Sequence, residues 1–226
     1  MFKFLEKLTN RNVLYFPGCM TKYVLKDKED NYKKILKKIG VDFIMLKDEE
    51  FCCGSPVLNA GYKEDFENLK EKNLEKFKKF GVGEIITNCP ACYNMLKDNY
   101  NLKVKHISQV ILENIEVFKK KFDEDITYHD SCHLGRQGKI FEEPRDALKA
   151  IGFEIKEFKN NREKASCCGA GGGMKNNLPK LANEVANNVL SKVKTEKMIT
   201  ACPMCYQHFK DNSKDVLILE LGDVFV

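Results

Sequence analysis

The sequence predicts an α/β fold of two tandem repeated lobes, each built on a parallel sheet with flanking helices and related to the other by pseudo-twofold symmetry. Three observations predict it. First, the chain repeats itself: NVLYFPGCMT, EFCCGSP and EIITNCPACYNMLKD return as DITYHDSCHL, ASCCGAGGG and KMITACPMCYQHFKD. The matching cysteines are Cys19 with Cys132, Cys52 and Cys53 with Cys167 and Cys168, and Cys89 and Cys92 with Cys202 and Cys205; they stand 113, 115 and 113 residues apart. Second, short β-type runs alternate with amphipathic segments in both halves, which implies right-handed crossovers between parallel strands. Third, the cysteines fall after the β-type runs, at the sheet edge where open parallel sheets bind ligands. Duplicated lobes are expected to pack through equivalent surfaces, as in a symmetric dimer, hence the pseudo-twofold.

In the first lobe the expected strands are Val13–Phe16, Asp42–Leu46, Glu84–Asn88 and Val104–Ile107. Tyr32, Ile35, Leu36 and Ile39 follow the i, i+3, i+4, i+7 spacing of one helix; Phe66, Leu69, Asn73, Phe77 and Phe80 mark another. The second lobe offers strands at Ile126–His129, Phe153–Phe158, Met198–Ala201 and Val216–Leu221, with a helix carrying Leu181, Val185 and Val189. Each lobe is therefore expected to be a small Rossmann-like parallel sheet. The period is too long, and the copies too few, for a solenoid. The charged stretch Lys119–Asp125 divides the chain into a lead segment at 1–11, a first cysteine-rich lobe at 12–120 and a second at 121–226.

Composition removes several function classes. The chain has 226 residues, 43% hydrophobic and 31% charged, as expected of a globular protein. Its net charge of +5 arises from lysine interleaved with glutamate, the pattern of solvated helix faces. The four arginines, Arg11, Arg136, Arg145 and Arg162, are scattered, which argues against nucleic acid as a partner. No run approaches the roughly 18 apolar residues of a membrane span. Met1–Arg11 lacks the apolar core of a secretory signal, so the expected location is the cytoplasm. A reducing compartment directs the ten cysteines towards metal or redox roles rather than disulfides.

Thiolate is a soft ligand suited to iron–sulfur clusters, zinc or Cu(I). In Cys89-Pro-Ala-Cys92 and Cys202-Pro-Met-Cys205 the proline fits the first turn of a helix, whose free N–H groups favour thiolate. Adjacent cysteines in a regular strand point to opposite faces, so Cys52–Cys53 and Cys167–Cys168 need a sharp turn, which Gly54 and Gly169 permit. Two matched sets of five make all ten cysteines candidate metal ligands. Zinc normally takes four ligands, whereas a group of several irons has use for five; structural zinc in one or both lobes stays open as the rival reading. The run Gly169–Gly173 resembles a phosphate loop, but Met174 stands where a third fingerprint glycine would fall. Lying behind a cysteine pair, the run reads as clearance for a cluster or a small substrate.

The pattern Cys19-x32-Cys52-Cys53-Gly54-x34-Cys89-Pro-x-Cys92, repeated as Cys132-x34-Cys167-Cys168-Gly169-x32-Cys202-Pro-x-Cys205, resembles the cysteine-rich CCG domain family. That family includes heterodisulfide reductase catalytic subunits, thiol:fumarate reductase subunits and iron–sulfur subunits of glycolate, lactate and glycerol-3-phosphate oxidising systems. Phe16-Pro-Gly-Cys19 and Cys167-Cys-Gly-Ala-Gly-Gly-Gly173 look most like the heterodisulfide reductase branch. The resemblance implies two non-cubane [4Fe–4S] clusters, one per five-cysteine set, with a disulfide cleaved between them. It also implies electrons from a ferredoxin-like iron–sulfur subunit or a flavoprotein, since the ten cysteines leave none for the additional ferredoxin-type runs of larger relatives. An electron relay for an organic-acid oxidoreductase is the alternative activity. His129 and His133 flank Cys132 as candidate proton donors to a leaving thiolate, and Arg136 and Lys175 are candidates for holding an acidic substrate. The two cysteine edges are expected to share a cleft containing Gly171–Lys175 and the His129–His133 loop.

Overall fold

The computed structural model describes residues 12–46, 49 and 52–226; the expected lead segment 1–11 lies outside them. The first lobe has strands β1 Asn12–Tyr15, β2 Phe43–Ile44, β3 Val82–Thr87 and β4 Val104–His106. The second has β5 Glu124–His129, β6 Phe153–Ile155, β7 Lys197–Thr200 and β8 Leu217–Glu220. Both sheets are parallel, in the orders β2-β1-β3-β4 and β6-β5-β7-β8. Each order reverses at its first strand, so the loops leaving β1 and β3, and those leaving β5 and β7, diverge from neighbouring strand ends. That is the crevice where open parallel sheets hold ligands.

The first lobe's helices are α1 Gly18–Tyr23, α2 Lys26–Ile39, α3 Ser55–Asn59, α4 Lys63–Lys79, α5 Pro90–Tyr100 and α6 Ile107–Glu113. The second lobe's are α7 Glu142–Ala150, α8 Met174–Asn177, α9 Pro179–Leu190 and α10 Pro203–Asn212. Local sequence explains their ends. α2 opens with Asp27 and Glu29 and closes with Lys37 and Lys38, complementing the helix dipole, and Gly40 caps it at φ +83°. α5 and α10 start at prolines, with Cys89 and Cys202 as extended N-caps.

Alternation along the strands sorts side chains between two cores. Along β1 and the residue that follows it, Tyr15 joins a cluster shared by both lobes, while Leu14 and Phe16 point to the first lobe's other face. The shared cluster brings Tyr32, Ile35, Leu36 and Ile111 of the first lobe against Leu148, Leu221 and Phe225 of the second. Full burial of Ile35, Leu36, Ile111 and Leu148 contributes about 1.5–3 kcal/mol each. The contacts obey the repeat: α2 packs on the 3₁₀ turn Leu221–Val224, and α6 on α7. Likewise α5 packs on the π-type turn His133–Gln137, and α10 on α1. Tyr32 Oη lies 2.6 Å from Glu220 Oε1 across the interface, and Lys28 Nζ pairs with Asp223 Oδ1 at 2.7 Å.

Three expectations need correction. The strand expected over Phe153–Phe158 ends at Ile155, because the Glu157 carboxylate turns to Arg145 Nε at 2.7 Å. Neither cysteine pair follows a strand directly: Cys52 comes eight residues after β2 and Cys167 twelve residues after β6. The buried stripe of α9 is Ala182, Ala186 and Val189, and Leu181 is 47% exposed. The reason is proximity: a methyl group on Gly169 would lie 2.8 Å from the Ala182 carbonyl oxygen and 3.0 Å from Val185 Cβ. Only small residues on α9 let the cysteine-pair turn come this close.

Candidate metal centres

Two turn geometries place the sulfurs. Gly54 and Gly169 adopt φ +87° and +88°, a region that strains any residue with a Cβ. Their backbone N–H groups point back at Cys52 Sγ and Cys167 Sγ, both at 3.4 Å. The proline-led turns of α5 and α10 bring Cys92 and Cys205 inward, where both are buried. The first cysteine of each set arrives on the turn after β1 or β5. Gly18, at φ +75°, lets α1 approach the CxxC turn, since a Cβ there would sit 3.0 Å from Cys92 Sγ and 3.2 Å from Cys89 Cβ.

The structure brings each set of five together. In the first lobe the thiols make contact in the order Cys19, Cys52, Cys53, Cys92, Cys89. In the second the order is Cys132, Cys167, Cys168, Cys205, Cys202, with Cys205 Sγ 3.2 Å from Cys168 Sγ. All ten cysteines are free. Among the described residues, no three His, Cys, Asp or Glu side chains surround a point suited to a lone ion; the sulfurs lie in a row against one another. Each set has an open side, with Cys19 exposed and Cys52, Cys89, Cys132 and Cys167 half-buried.

Four of the matched cysteine pairs shift in the same direction in the two rows. The hydrogen bond from Cys19, then that from Cys53, pulls Cys52 down to about 3; Cys132 and Cys168 act likewise on Cys167, which falls further. Cys19 and Cys132 are pushed well above the ordinary thiol range, first by the partner that takes their hydrogen bond and then by burial. Cys92 and Cys205 are also driven up, first by the neighbouring sulfurs of Cys53 and Cys168. Five adjacent thiolates therefore repel one another, and a set ionises fully only around a strongly cationic group. Ser131, at the position of Gly18 in the repeat, buries its Oγ beside Cys202; the Cys205 hydrogen bond, and to a lesser extent that of Ser131, lower the Cys202 thiol to about 7. The donor chemistry, five soft sulfurs gathered in one row, fits an iron–sulfur cluster.

A buried ion-pair network braces the second set. Arg145, 0% exposed, contacts Asp130 through Nη1 and Nη2, both at 2.7 Å, and contacts Glu157 through Nε. Asp130 also accepts the Arg162 amide at 2.8 Å. The network thus ties the turn carrying Cys132 to the loop that leads to Cys167. Arg136, expected near the substrate, donates instead to the Ala165 carbonyl at 2.6 Å and fastens the same loop.

The remaining sequence candidates separate. A groove of about 240 Å³ runs between the lobes, lined by Ser55, Asn94, Asp98, Asn99, His133 and Gln137 among others. Asn94 Nδ2 donates to the His133 carbonyl at 2.7 Å, and His133 Nδ1 lies 3.4 Å from Cys132 Sγ. His133 therefore sits between the second sulfur row and a groove walled by the first lobe's CxxC helix. His129 does not share this groove. It is buried at the end of β5, its Nε2 3.0 Å from the Ser166 carbonyl oxygen and its ring edge-on to Phe209. Lys175 lies outside the groove too, paired with Asp211 Oδ2 at 2.7 Å, and Gly171 does not line it. Arg145 and Ser131 are the site-supporting residues that sequence reasoning missed; a lone arginine and a serine carry no spacing signal.

The family model of the cysteine-rich CCG domain matches residues 13–97 and again 126–210. The chain belongs to the CCG family. This CCG protein is 36% identical over 215 residues to an iron–sulfur protein of Methanocaldococcus jannaschii, covering 92% of this chain and 42% of that one. It is 32% identical over 238 residues to one chain of the dihydromethanophenazine:CoB–CoM heterodisulfide reductase of Methanosarcina acetivorans, covering 95% and 58%. It is 33% identical over 222 residues to one chain of the fumarate reductase (CoM/CoB) of Methanothermobacter marburgensis, covering 94% and 44%. The CCG chain thus spans about two fifths to three fifths of the length of these relatives. No helix among the described residues is long and apolar enough to cross a membrane.

Proposed function

We propose that this chain holds two iron–sulfur clusters, one on each five-cysteine row, and forms the cluster-bearing redox part of an oxidoreductase of the heterodisulfide reductase type. The observation that carries the proposal is the doubled row itself: five thiols, each touching the next, in two sets at matching positions of the repeat, around a charge problem that a cationic group relieves. The iron–sulfur, heterodisulfide reductase and fumarate reductase names of the relatives support it. All ten cysteines are the proposed ligands, and the fifth sulfur of each set speaks against zinc, which normally takes four.

When bound, such clusters supply single electrons, two of which with two protons convert a disulfide into two thiols. The chain's own residues would do the rest. The groove between the lobes admits a small polar molecule beside Cys132, and Asn94, Asn99 and Gln137 offer amides to orient it. Burial lowers the His133 pKa, leaving the ring neutral near pH 7 with one N–H to donate towards an entering sulfur. The half-buried and exposed cysteines leave each row accessible for electron entry from a ferredoxin-like or flavin-containing partner.

The test is disulfide turnover by anaerobically reconstituted protein with reduced viologen as donor and the CoB–CoM heterodisulfide as substrate. Stoichiometric release of two thiols per disulfide, lowered by Gln137→Leu without loss of metal, is the expected result. Centres that reduce and reoxidise with no thiol released would leave electron relay as the activity.

A further inference from the structure

A cavity of about 500 Å³ lies apart from the groove between the lobes. It lies in the second lobe alone, beside the loop leading to Cys167. Its wall includes His129, Phe158 and Val189, and three lysines, Lys159, Lys192 and Lys194, stand around it. None of the residues lining it is acidic. Lys194 Nζ donates to the Glu157 backbone carbonyl at 3.3 Å. Lys159 and Lys192 are exposed and make no salt bridge among the described residues.

The first lobe supplies an internal comparison. There α4 lays Phe66 and Phe77 over the sheet, both 2% exposed, and they meet the Tyr100 ring. The corresponding helix α9 contains no aromatic residue and presents Ala182, Ala186 and Val189 instead. The aromatic volume that closes the first lobe is missing from the second. His129 occupies the repeat position of Phe16, so a polar ring replaces an apolar one at the end of the strand. Interiors are normally packed without voids of this size, and a half-open apolar pocket with a few convergent cations has the dimensions of a small-ligand site.

We propose that this cavity binds an organic anion with an apolar, ring-sized body, its anionic group held by Lys159, Lys192 and Lys194 and its body against Phe158, Val189 and the His129 ring. The site is separate from the disulfide groove and does not depend on the bound clusters. It does adjoin one sulfur row, because His129 Nε2 contacts the Ser166 carbonyl, one residue before Cys167.

The experiment titrates the apo protein with 1-anilinonaphthalene-8-sulfonate, followed by fluorescence, and then displaces the dye with 1-naphthyl phosphate. One saturable site is expected, displaced competitively. A Lys159→Glu/Lys192→Glu variant should weaken both ligands about tenfold, the loss expected for one charge-assisted hydrogen bond. A control pair of exposed lysines on α4 of the first lobe, Lys72→Glu/Lys78→Glu, should leave affinity unchanged at equal net charge. Ala165→Leu, placed to intrude on the cavity and checked for folding by circular dichroism, should abolish binding. Absence of saturable binding, equal weakening in both lysine pairs, or full affinity in the cavity-filled variant would overturn the proposal.

Discussion

Arg145 grips Asp130 at two points, Nη1 to Oδ1 and Nη2 to Oδ2, each at 2.7 Å, two residues before Cys132. Both partners are buried, and the contact holds the Arg145 guanidinium well above its ordinary pKa even though burial opposes the charge. Removing one member of a buried pair leaves the other charge unpaired, at a cost of about 3–5 kcal/mol. Arg145→Met should therefore destabilise the protein by that amount in urea denaturation. Arg145→Lys should recover only part of it, because an ammonium cannot make the two-point contact. Loss of less than about 1 kcal/mol in Arg145→Met would show that the network does not brace the second sulfur row.

Glu220 makes stability depend on pH. Burial raises its carboxyl from 4.5 to about 8, against the lowering effect of the Tyr32 hydrogen bond. Between those values the folded state holds a proton that the unfolded state has released. Stability contributed at the lobe interface is therefore fully present below about pH 4.5 and falls as pH rises to about 8. The expected change is a few kcal/mol at most. Thermal melts between pH 5 and 8.5 should show this decline, and Glu220→Gln, which keeps an acceptor for the Gly222 amide, should flatten it. Identical slopes in the two proteins would remove Glu220 as the cause.

The two cysteine-pair glycines should differ in tolerance. At Gly54 an added Cβ would meet the Phe66 ring edge at 2.6 Å, whereas at Gly169 it would meet the Ala182 backbone oxygen at 2.8 Å. Positive φ strains both by about 1–2 kcal/mol. A ring is able to move and a helix backbone is not, so Gly169→Ala should lose more stability. Adding Phe66→Leu should partly rescue Gly54→Ala, while no single side-chain change should rescue Gly169→Ala. Equal losses in chemical denaturation, with no rescue, would contradict this reading.

Much of the fold is legible in the sequence because the repeat reports on itself. Ile85 and Ile86 match Met198 and Ile199, and all four lie in central strands β3 and β7. The grouping of the cysteines follows from the same repeat combined with the strand order. What escapes is whatever breaks the repeat or depends on close approach. Leu181 reads as core because it is apolar at helical spacing, yet the Gly169 turn selects Ala182 for that place. His129 reads as a partner of His133 because they are neighbours in sequence, yet strand alternation turns it into the lobe, away from the groove. The Tyr32–Glu220 contact joins residues 188 apart, and neither type announces an interface.

The central claim, that each five-sulfur row carries an iron–sulfur cluster, is tested most directly by metal and sulfide analysis of anaerobically purified protein alongside Cys53→Ala/Cys92→Ala and Cys168→Ala/Cys205→Ala variants. The account predicts about eight irons and a similar amount of acid-labile sulfide per chain, with visible absorption. Each double variant should lose about half of the iron while the other row keeps its share. Zinc without sulfide or colour, or iron content unchanged by both variants, would contradict it.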